Sequence, residues 1–429
     1  MLRGLLPLAA LLAGSALLLF AGGINGLLLP IRGEAEGFSA SSLGLLGTGW
    51  ALGYVLSCLL TPTLVAKVGH IRSFGAMCAL AAIAVLVSLL LITPWVWLPV
   101  RAVSGFCFAG VAMIVESWLN EQVDSRSRGR VFGIYTMVTL TATTAGQMVL
   151  ALGDPTGHVF FVLAAIIYCM ALLPTAVSAT AVPQPLARVS LDLPRLWQNS
   201  PIAVFSVLMV GISNASFATL APVYAARVGL TLGDIALFAS IPILAGAASQ
   251  LPVGIASDRY DRRKVLVVVA VLALLIDALF LFAGFTQAGF LLVLSALFGA
   301  TVFVMYPLIV AHANDHAQPG SFIQISGGLL LVFGIGSIVG PTIAGFAMSS
   351  FDARALFAVT ALAHVLLIAF AMWRLRVAPA VDEENKVEFH AQPFGRESTP
   401  ETAVLAAHFA ELNAGQSEPA DQNANNDRR

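Results

Sequence analysis

Long apolar segments separated by short polar ones run along most of the chain. A helix needs about 20 apolar residues to cross about 30 Å of bilayer hydrocarbon. Segments of this length lie near residues 5–29, 41–66, 73–93, 96–119, 131–152, 159–179, 202–223, 233–256, 265–286, 289–312, 322–348 and 354–375. The pattern therefore predicts an all-α polytopic membrane protein with twelve transmembrane helices.

The first apolar segment follows Arg3 and shares its charged start with a signal peptide. The apolar core of a signal peptide is about 7–15 residues long, whereas this run continues to Leu29. We therefore expect it to be the first membrane-spanning helix.

Composition agrees with this class. The 429 residues are 58% hydrophobic and 10% charged, whereas an average soluble domain is about 45–50% apolar. All four cysteines lie within apolar segments, where we expect them to pack rather than to form disulfides or bind metal. The sequence predicts neither a metal site nor a cofactor.

Charge is distributed unevenly along the chain. Residues up to Arg376 hold 18 basic and 13 acidic side chains, a net +5, whereas residues 377–429 hold 4 and 10, a net −6. With the N-terminus inside, fourteen basic residues fall in inner loops and only Arg32, Arg227 and Arg354 in outer ones. The positive-inside rule therefore predicts that both termini are cytoplasmic.

The spans divide into two sets of six. A polar, proline-containing stretch separates an N-terminal half, residues 1–180, from a C-terminal half, residues 201–376. We expect this linker, residues 181–200, to be cytoplasmic, with a short interfacial piece near 191–197. Gly105 and Gly299 are 194 positions apart, and the basic loops beginning at Lys67 and Arg259 are 192 apart. Such duplication predicts two pseudo-symmetric six-helix halves.

Residues 377–429 break the apolar pattern. They are rich in Ala, Glu, Asn, Gln, Asp and Pro, a composition that buries too little apolar surface to offset the entropy of ordering. We expect a disordered, acidic cytoplasmic tail, with a short helix near 400–413 as an alternative for that part.

Two charged residues lie inside the fourth span. Arg101 is either an arginine that extends outward to the interface or a fixed positive charge in a cavity, and we favour the cavity because intramembrane charge is usually functional. Glu116 lies about 22 Å further along the helix, so the two do not pair directly. Its position allows either interfacial exposure or binding of substrate or a proton.

Other polar residues lie within apolar spans. Substrate or coupling contacts are predicted for a set that could equally make helix-to-helix hydrogen bonds: Asn25, Gln147, Asn214, Tyr306 and His312. Asp277 and His364 lie near mid-membrane in the ninth and twelfth spans. We expect them to form a hydrogen-bonded pair that stabilises the second half, with a proton relay as the alternative.

Several motifs resemble those of the major facilitator superfamily. The segment from Gly254 through Asp258-Arg259 to Arg262-Arg263-Lys264 is similar to its G-x-x-x-D-R-x-G-R-R-K loop, with Asp261 at the usual glycine. The corresponding first-half loop has Ala66 where the family has aspartate. Arg101 to Gly105 resembles the arginine motif of the superfamily's fourth span. The segments at 116–120 (ESWLN) and 312–315 (HAND) resemble sequences of a bacterial subgroup of the superfamily.

This resemblance implies a twelve-span transporter in which spans one, four, seven and ten line a central cavity. It also implies a cytoplasmic gate, for which the candidates are Glu121, Arg128, Arg130, Gly254, Asp258, Arg259, Arg262, Arg263 and Asp315. Asp258 would cap the fifth span near Arg130, and Arg259 or Arg262 would pair with Asp315. Alternatively, the basic loops serve only to fix topology.

The sequence therefore favours a secondary transporter of a small molecule that works by alternating access in a bacterial plasma membrane. Proton-coupled export is the preferred mode, with uptake or uncoupled facilitation left open. A membrane sensor or enzyme is the other class, but the chain has no clustered acid–base residues and no nucleotide-binding loop. Expected partners are a small-molecule substrate, protons and the lipid bilayer, with no nucleic acid, and we expect a monomer.

Overall fold

The computed structural model of the chain describes residues 2–122, 128–177, 186, 191–284, 286–318, 321–377, 389, 398–402 and 404. These residues form helices and no β-strand. The helices, numbered α1 to α14 in chain order, are Leu2–Ala35, Ala40–Val68, His70–Leu90, Pro94–Gln122, Arg128–Val149, Val159–Met170, Leu172–Val177, Leu193–Asn199, Pro201–Arg227, Leu232–Arg259, Arg262–Phe282, Ala288–Asn314, Phe322–Ser350 and Ala355–Val377. The predicted all-α class is confirmed.

The predicted spans correspond to long helices. Within the described residues, eleven helical stretches are long and apolar enough to cross a bilayer, with α6 and α7 forming one of them, Val159–Ala176. The remaining long helix, α5, has 22 residues and matches the predicted span 131–152. Several helices run past the predicted apolar limits, because helical backbone hydrogen bonding continues into the flanking polar residues.

Side-chain caps fix where equivalent helices begin in the two halves. Ser39 accepts a hydrogen bond from the backbone N–H of Ser42 at the start of α2, and Thr231 does the same for Asp234 at the start of α10. The two capping residues are 192 positions apart. Each cap satisfies an amide that has no partner within its own helix.

The two ends of the bundle differ in charge. At the end that we call the basic end, loops and helix ends carry Lys67, Arg72, Arg259, Lys264, Arg374 and Arg376. The opposite end carries Glu34, Glu36, Asp154, Arg227 and Asp352. The positive-inside rule predicts that the basic end is cytoplasmic.

Close helix contacts repeat between the halves. In the first half, a side chain at Gly23 of α1 would collide with the backbone of Thr143 on α5. In the second half, a side chain at Gly211 of α9 would collide with the backbone of Phe333 on α13. These positions are related by shifts of 188 and 190 residues. The same duplication therefore places both helix pairs.

The glycines that revealed the repeat in the sequence occupy equivalent contacts. Gly105 on α4 lies against the backbone of Trp50 on α2, and Gly299 on α12 lies against the backbone of Pro242 on α10. Only a residue without a side chain permits this approach. The predicted duplication is confirmed at these positions.

The halves meet directly at the opposite end through α2 and α13. Gly44 lies against the carbonyl of Pro341, where any added side chain would collide with it. Nearby, the backbone N–H of Ser41 donates to the hydroxyl of Ser349 over 2.8 Å. Small residues on both helices therefore allow the two halves to pack backbone against backbone here.

Two further contacts join the halves toward the same end. Arg227, the last residue of α9, forms an ion pair with Glu34 of α1 at 2.8 Å, and both side chains are about a quarter exposed. The hydroxyl of Ser240 on α10 donates to Oε1 of Gln147 on α5 over 2.7 Å. Together with the α2–α13 packing, these contacts close the opposite end.

The described parts of the linker and tail lie against the bundle. Helix α8 begins at the Asp192 cap and coincides with the short piece predicted near 191–197, whereas residues 181–185 and 187–190 lie outside the described residues. In the tail, Phe389 and residues 398–402 contact the helices, which differs from the expectation of a tail without fixed structure. Residues 400–402 are helical; the rest of the predicted 400–413 helix is undescribed except for 404.

Candidate functional site

A cavity lies between the two halves. It is enclosed on the side away from the basic end. It holds about 1240 Å³ of space not filled by protein atoms, including the part open to solvent. Its polar lining comes from both halves: Asn25, Arg101, Ser104, Thr143, Gln147, Tyr168 and Asn214. We call it the central cavity. Spans one, four, seven and ten all contribute to it, as the resemblance implied, and spans two, three, five, six and eight add further residues.

Arg101 lies in the wall of this cavity. Arg101 is only 4% exposed, and it is near enough to Tyr168 for an electrostatic interaction. Trp95, at the start of the same helix, is exposed. The cavity location that we favoured for this charge is the one the structure shows.

Uncompensated polar atoms also face the central cavity. Within the described residues, Oδ1 of Asn25, Oδ1 of Asn214 and the hydroxyl of Thr143 are buried without a hydrogen-bond partner. A buried polar atom without a partner costs about 1–3 kcal/mol, which a bound solute or water would recover. Gln147 lines the cavity as well, and its bond to Ser240 also joins the halves.

Glu116 lies outside the central cavity, further toward the basic end on α4. It is 2% exposed, so the interfacial exposure considered for it does not occur. Its Oε2 atom accepts hydrogen bonds from the hydroxyls of Thr399 at 2.6 Å and Thr402 at 2.8 Å. Both partners belong to the C-terminal tail.

An aromatic cluster connects the two sites. Trp50 and Phe108 line the central cavity, and both rings pack on Tyr54, with centroid distances of 5.3 and 6.5 Å. The hydroxyl of Tyr54 donates to the carbonyl of Ser398 in the tail. A packed aromatic and apolar cluster thus lies between the cavity lining and the tail residue Ser398.

Tyr306, a predicted substrate or coupling residue, belongs to the Glu116 region rather than to the central cavity. It is buried on α12, where its ring packs edge-on against Phe333 at 5.2 Å, and it hydrogen-bonds to Ser398. His312, also predicted for substrate, lies near the end of α12 beside His316, with ring centroids 4.7 Å apart. Its neighbours include the gate candidate Arg263.

The charged residues of the second-half gate form a compact cluster at the basic end. Arg262 is 1% exposed and pairs with Asp315, 2% exposed, at 2.8 Å, and with Asp258 at 3.1 Å. The predicted pairing of Arg262 with Asp315 is confirmed. Because α10, α11 and α12 supply all three residues, this network holds the second half together.

Arg263 makes a separate pair with Asp261 at 2.8 Å. Burial raises the pKa of Asp261, but hydrogen bonds and charge from Arg263 outweigh it, so this pKa lies below its ordinary value. Asp261 also accepts from the backbone N–H of Arg263. The departure from the motif's glycine therefore gives α11 a charged N-terminal cap.

The other gate candidates are spread over the basic end. Arg259 is exposed, Gly254 is covered by the ring of Phe389, and Glu121 at the exposed end of α4 interacts electrostatically with His70. The side chains of Arg128 and Arg130 lie outside the described residues. The carboxylate of Asp258 accepts from the backbone N–H of Phe389 over 3.0 Å. Its predicted cap on α5 stays a prediction.

Asp277 and His364 form the pair expected for them. His364 Nδ1 lies 2.7 Å from Asp277 Oδ2, the hydroxyl of Thr360 donates to Asp277 Oδ1 at 2.7 Å, and His364 Nε2 lies 3.0 Å from Ser213 Oγ. Both members of the pair are fully buried. The network joins α9, α11 and α14, so the stabilising interpretation fits its position.

Sequence reasoning missed the aromatic lining and the tail contacts. Trp50, Phe108, Phe217 and Phe303 line the central cavity, yet in the sequence they look like ordinary apolar residues of a span. The two threonines that bind Glu116 lie in a polar segment. The T-P-E-T sequence at 399–402, a helix N-terminal signature, was the available signal.

Comparisons with known proteins agree with this architecture. The Major Facilitator Superfamily profile matches residues 11–224 and 203–410. An uncharacterised MFS-type transporter of Enterobacter sp. strain 638 is 28% identical over 364 residues, which cover 83% of this chain and 92% of the relative.

Solved structures share the fold. The nucleoside transporter NupG superposes with a TM-score of 0.72 at 17% identity, over 86% of this chain and 98% of that one. A bacterial homologue of the human lysosomal transporter Spinster, in an inward-facing and occupied conformation, gives a TM-score of 0.64 at 19% identity, over 96% and 97% of the two chains. With both halves matched by the family profile and the same fold in these transporters, the chain belongs to the Major Facilitator Superfamily.

Proposed function

We propose that the protein is a secondary active transporter that moves a small polar solute through the central cavity by alternating access, coupled to protons and in the direction of export. The observation that carries this proposal is the cavity itself. It lies between two duplicated halves and presents a buried arginine beside polar atoms that have no partner within the described chain.

The chemistry of the cavity suits a solute with both hydrogen-bond donors and acceptors. Arg101 supplies donors and positive charge for an oxygen-rich group. The amide oxygens of Asn25 and Asn214 come from opposite halves and accept from hydroxyl or amine donors. A solute that bridges them therefore contacts both halves at once, which couples its binding to their relative position.

The asymmetry of the two ends supports alternating access. The opposite end is closed by α2–α13 packing, whereas tail residues 398–402 separate the halves at the basic end. This arrangement corresponds to an inward-facing state if the basic end is cytoplasmic, as we propose for a bacterial plasma membrane. Release of the opposite-end contacts would give the outward-facing state.

Glu116 is the proposed proton carrier. A carboxyl group accepts hydrogen bonds when ionised and gains a donor when protonated, so its contacts change when it binds a proton. It lies on α4 between the cavity-lining residues of that helix and its basic-end terminus, within the first half. Asp277 and His364 are less suited, because their hydrogen bonds are satisfied inside the second half.

Transport assays test this proposal. Metabolite and drug-susceptibility profiling of a strain that lacks the protein would identify candidate solutes, which are then supplied to proteoliposomes containing a pH-sensitive dye. We expect solute-dependent proton flux that falls about tenfold or more in Arg101→Ala, since a hydrogen bond to a charged group contributes about 1.5–3 kcal/mol.

Arg376→Ala is the matched control, because this arginine is exposed at the basic end and should leave the flux unchanged. Solute movement without proton flux would indicate uncoupled facilitation, and flux of the reverse sign would indicate uptake. Equal transport in the wild type and Arg101→Ala would contradict the proposed role of the cavity.

A further inference from the structure

Part of the acidic tail lies inside the helix bundle. Ser398, Thr399 and Thr402 are between 1% and 5% exposed. The segment 398–402 lies between the two halves, because Tyr54 of the first half and Tyr306 of the second half both hydrogen-bond to Ser398. We call these five residues the tail segment.

The tail segment donates hydrogen bonds to the buried carboxyl group of Glu116. Within the described residues, the side-chain hydrogen bonds to Glu116 come from Thr399 and Thr402. The hydroxyl of Thr399 also accepts from the backbone N–H groups of Glu401 and Thr402. The threonine therefore caps a helical turn and binds Glu116 at the same time.

A second contact fixes the tail at the basic end. The backbone N–H of Phe389 donates to Asp258 over 3.0 Å, and its ring lies against Gly254, where an added side chain would collide with it. Eight residues, 390–397, lie between Phe389 and Ser398, and these nine steps along the chain span at most about 30 Å.

Net charge favours the approach of the tail to the basic end, whereas Glu401 of the tail segment is a like charge within electrostatic range of Glu116. The tail carries a net −6, whereas the rest of the chain carries +5, and the basic residues concentrate at the end where the tail enters. Attraction over about 8–10 Å at physiological ionic strength would keep the tail near that opening. Glu116 and the hydroxyl groups then supply the specific contact.

We propose that the tail segment is a tethered plug, which binds Glu116 through its threonine hydroxyls and closes the basic-end mouth of the transport path. The plug and a solute or proton in transit cannot occupy the position at Glu116 together. The consequence for transport rests on the proposed function: the plug slows the cycle until it leaves. The occupancy itself is testable without a solute.

Cys58 is a native reporter for the plug. It lies one helical turn beyond Tyr54 on α2, is 2% exposed, and is close enough to Glu116 for an electrostatic interaction. In a variant that keeps Cys58 and has alanine at the other three cysteines, N-ethylmaleimide reaches the thiol once the plug leaves. The measurement is the alkylation rate of the full chain in proteoliposomes.

Thr399→Ala with Thr402→Ala should raise this rate about tenfold or more, because both hydrogen bonds to the carboxyl group are lost. Thr399→Ser with Thr402→Ser keeps the hydroxyls and should stay within about twofold of the parent. A rate in the alanine variant that is equal to or below the parent overturns the plug. An equal rise in the serine variant overturns the hydroxyl-based contact.

Two further variants separate loss of the plug from misfolding. Phe389→Ala removes the outer contact and should also raise the alkylation of Cys58, even if the alanine pair folds poorly. Lys67→Cys in a cysteine-free chain reports an exposed site and should be alkylated equally with and without the threonine changes. Failure to find any transported solute would contradict the proposed function alone, whereas unchanged Cys58 alkylation would contradict the plug alone.

Discussion

The two ends of the interface between the halves are built differently. At the opposite end, α2 and α13 pack backbone against backbone at Gly44 and Pro341, and the halves share an ion pair. At the basic end, a buried charged network around Arg262 lies within the second half, and the tail segment lies between the halves. One end is therefore closed by direct contact between the helices, and the other holds the tail segment.

This difference shows how two halves with the same architecture can be closed at one end of their interface and not at the other. Direct packing at the opposite end joins the halves, and at Gly44 it is as close as the glycine contacts within each half. The contacts within each half repeat between α1–α5 and α9–α13. Each half is therefore expected to move as a rigid unit about the central cavity.

Removal of Arg262 should have the largest effect. Arg262→Met removes the guanidinium that pairs with Asp258 and Asp315, and breaking a buried pair in this way costs about 3–5 kcal/mol. We expect a large fall in the thermal unfolding midpoint of the solubilised protein. Arg259→Met, a change at the neighbouring exposed arginine, is the control and should shift the midpoint little; equal shifts would show that the network does not stabilise the second half.

A single methyl group at the closed end should have the next largest effect. Gly44→Ala places a carbon against the backbone of Pro341, and overpacking of this kind costs about 1–3 kcal/mol. Spin labels at Ala35→Cys and Ser350→Cys in a cysteine-free chain should move apart. Gly26→Ala is the control, since nothing lies within 4 Å of the added carbon there, and it should leave the distance unchanged.

Loss of the ion pair between the halves should have the smallest effect. The side chains of Glu34 and Arg227 are 23% and 27% exposed, and pairs of this kind contribute about 0.2–1 kcal/mol. Glu34→Gln should therefore raise the open fraction of the same labelled end by no more than about fivefold. Glu36→Gln is the control, because it removes a pair with Arg32 of the same half and should leave the open fraction unchanged. High salt should abolish the difference between Glu34→Gln and the wild type.

The helices and their duplication followed from the sequence because apolar length and small-residue spacing are local properties. The Arg262–Asp315 and Asp277–His364 pairs were also predictable, since a buried charge needs a partner and few candidates exist in each half. Arg101 followed from the same cost of intramembrane charge.

The contacts of the tail, and the placement of Tyr306 and His312 outside the central cavity, did not follow from the sequence. Whether Tyr306 and His312 face the central cavity depends on small rotations of α12 that periodicity does not determine. The composition of residues 377–429 shows little apolar surface to bury, and it does not report that the buried Glu116 accepts hydrogen bonds from two threonine hydroxyls of this segment. A contact between distant segments, each ordinary in isolation, has no local signature.

Electron-spin distance measurements on two labelled pairs test alternating access most directly. Lys67→Cys with Lys264→Cys reports the basic end, and Ala35→Cys with Ser350→Cys reports the opposite end, both in a cysteine-free chain in liposomes. In Gly44→Ala, the distance at the opposite end should lengthen while that at the basic end shortens. Distances that lengthen together, or a basic-end distance that does not respond, would contradict a rigid-body exchange between inward- and outward-facing states.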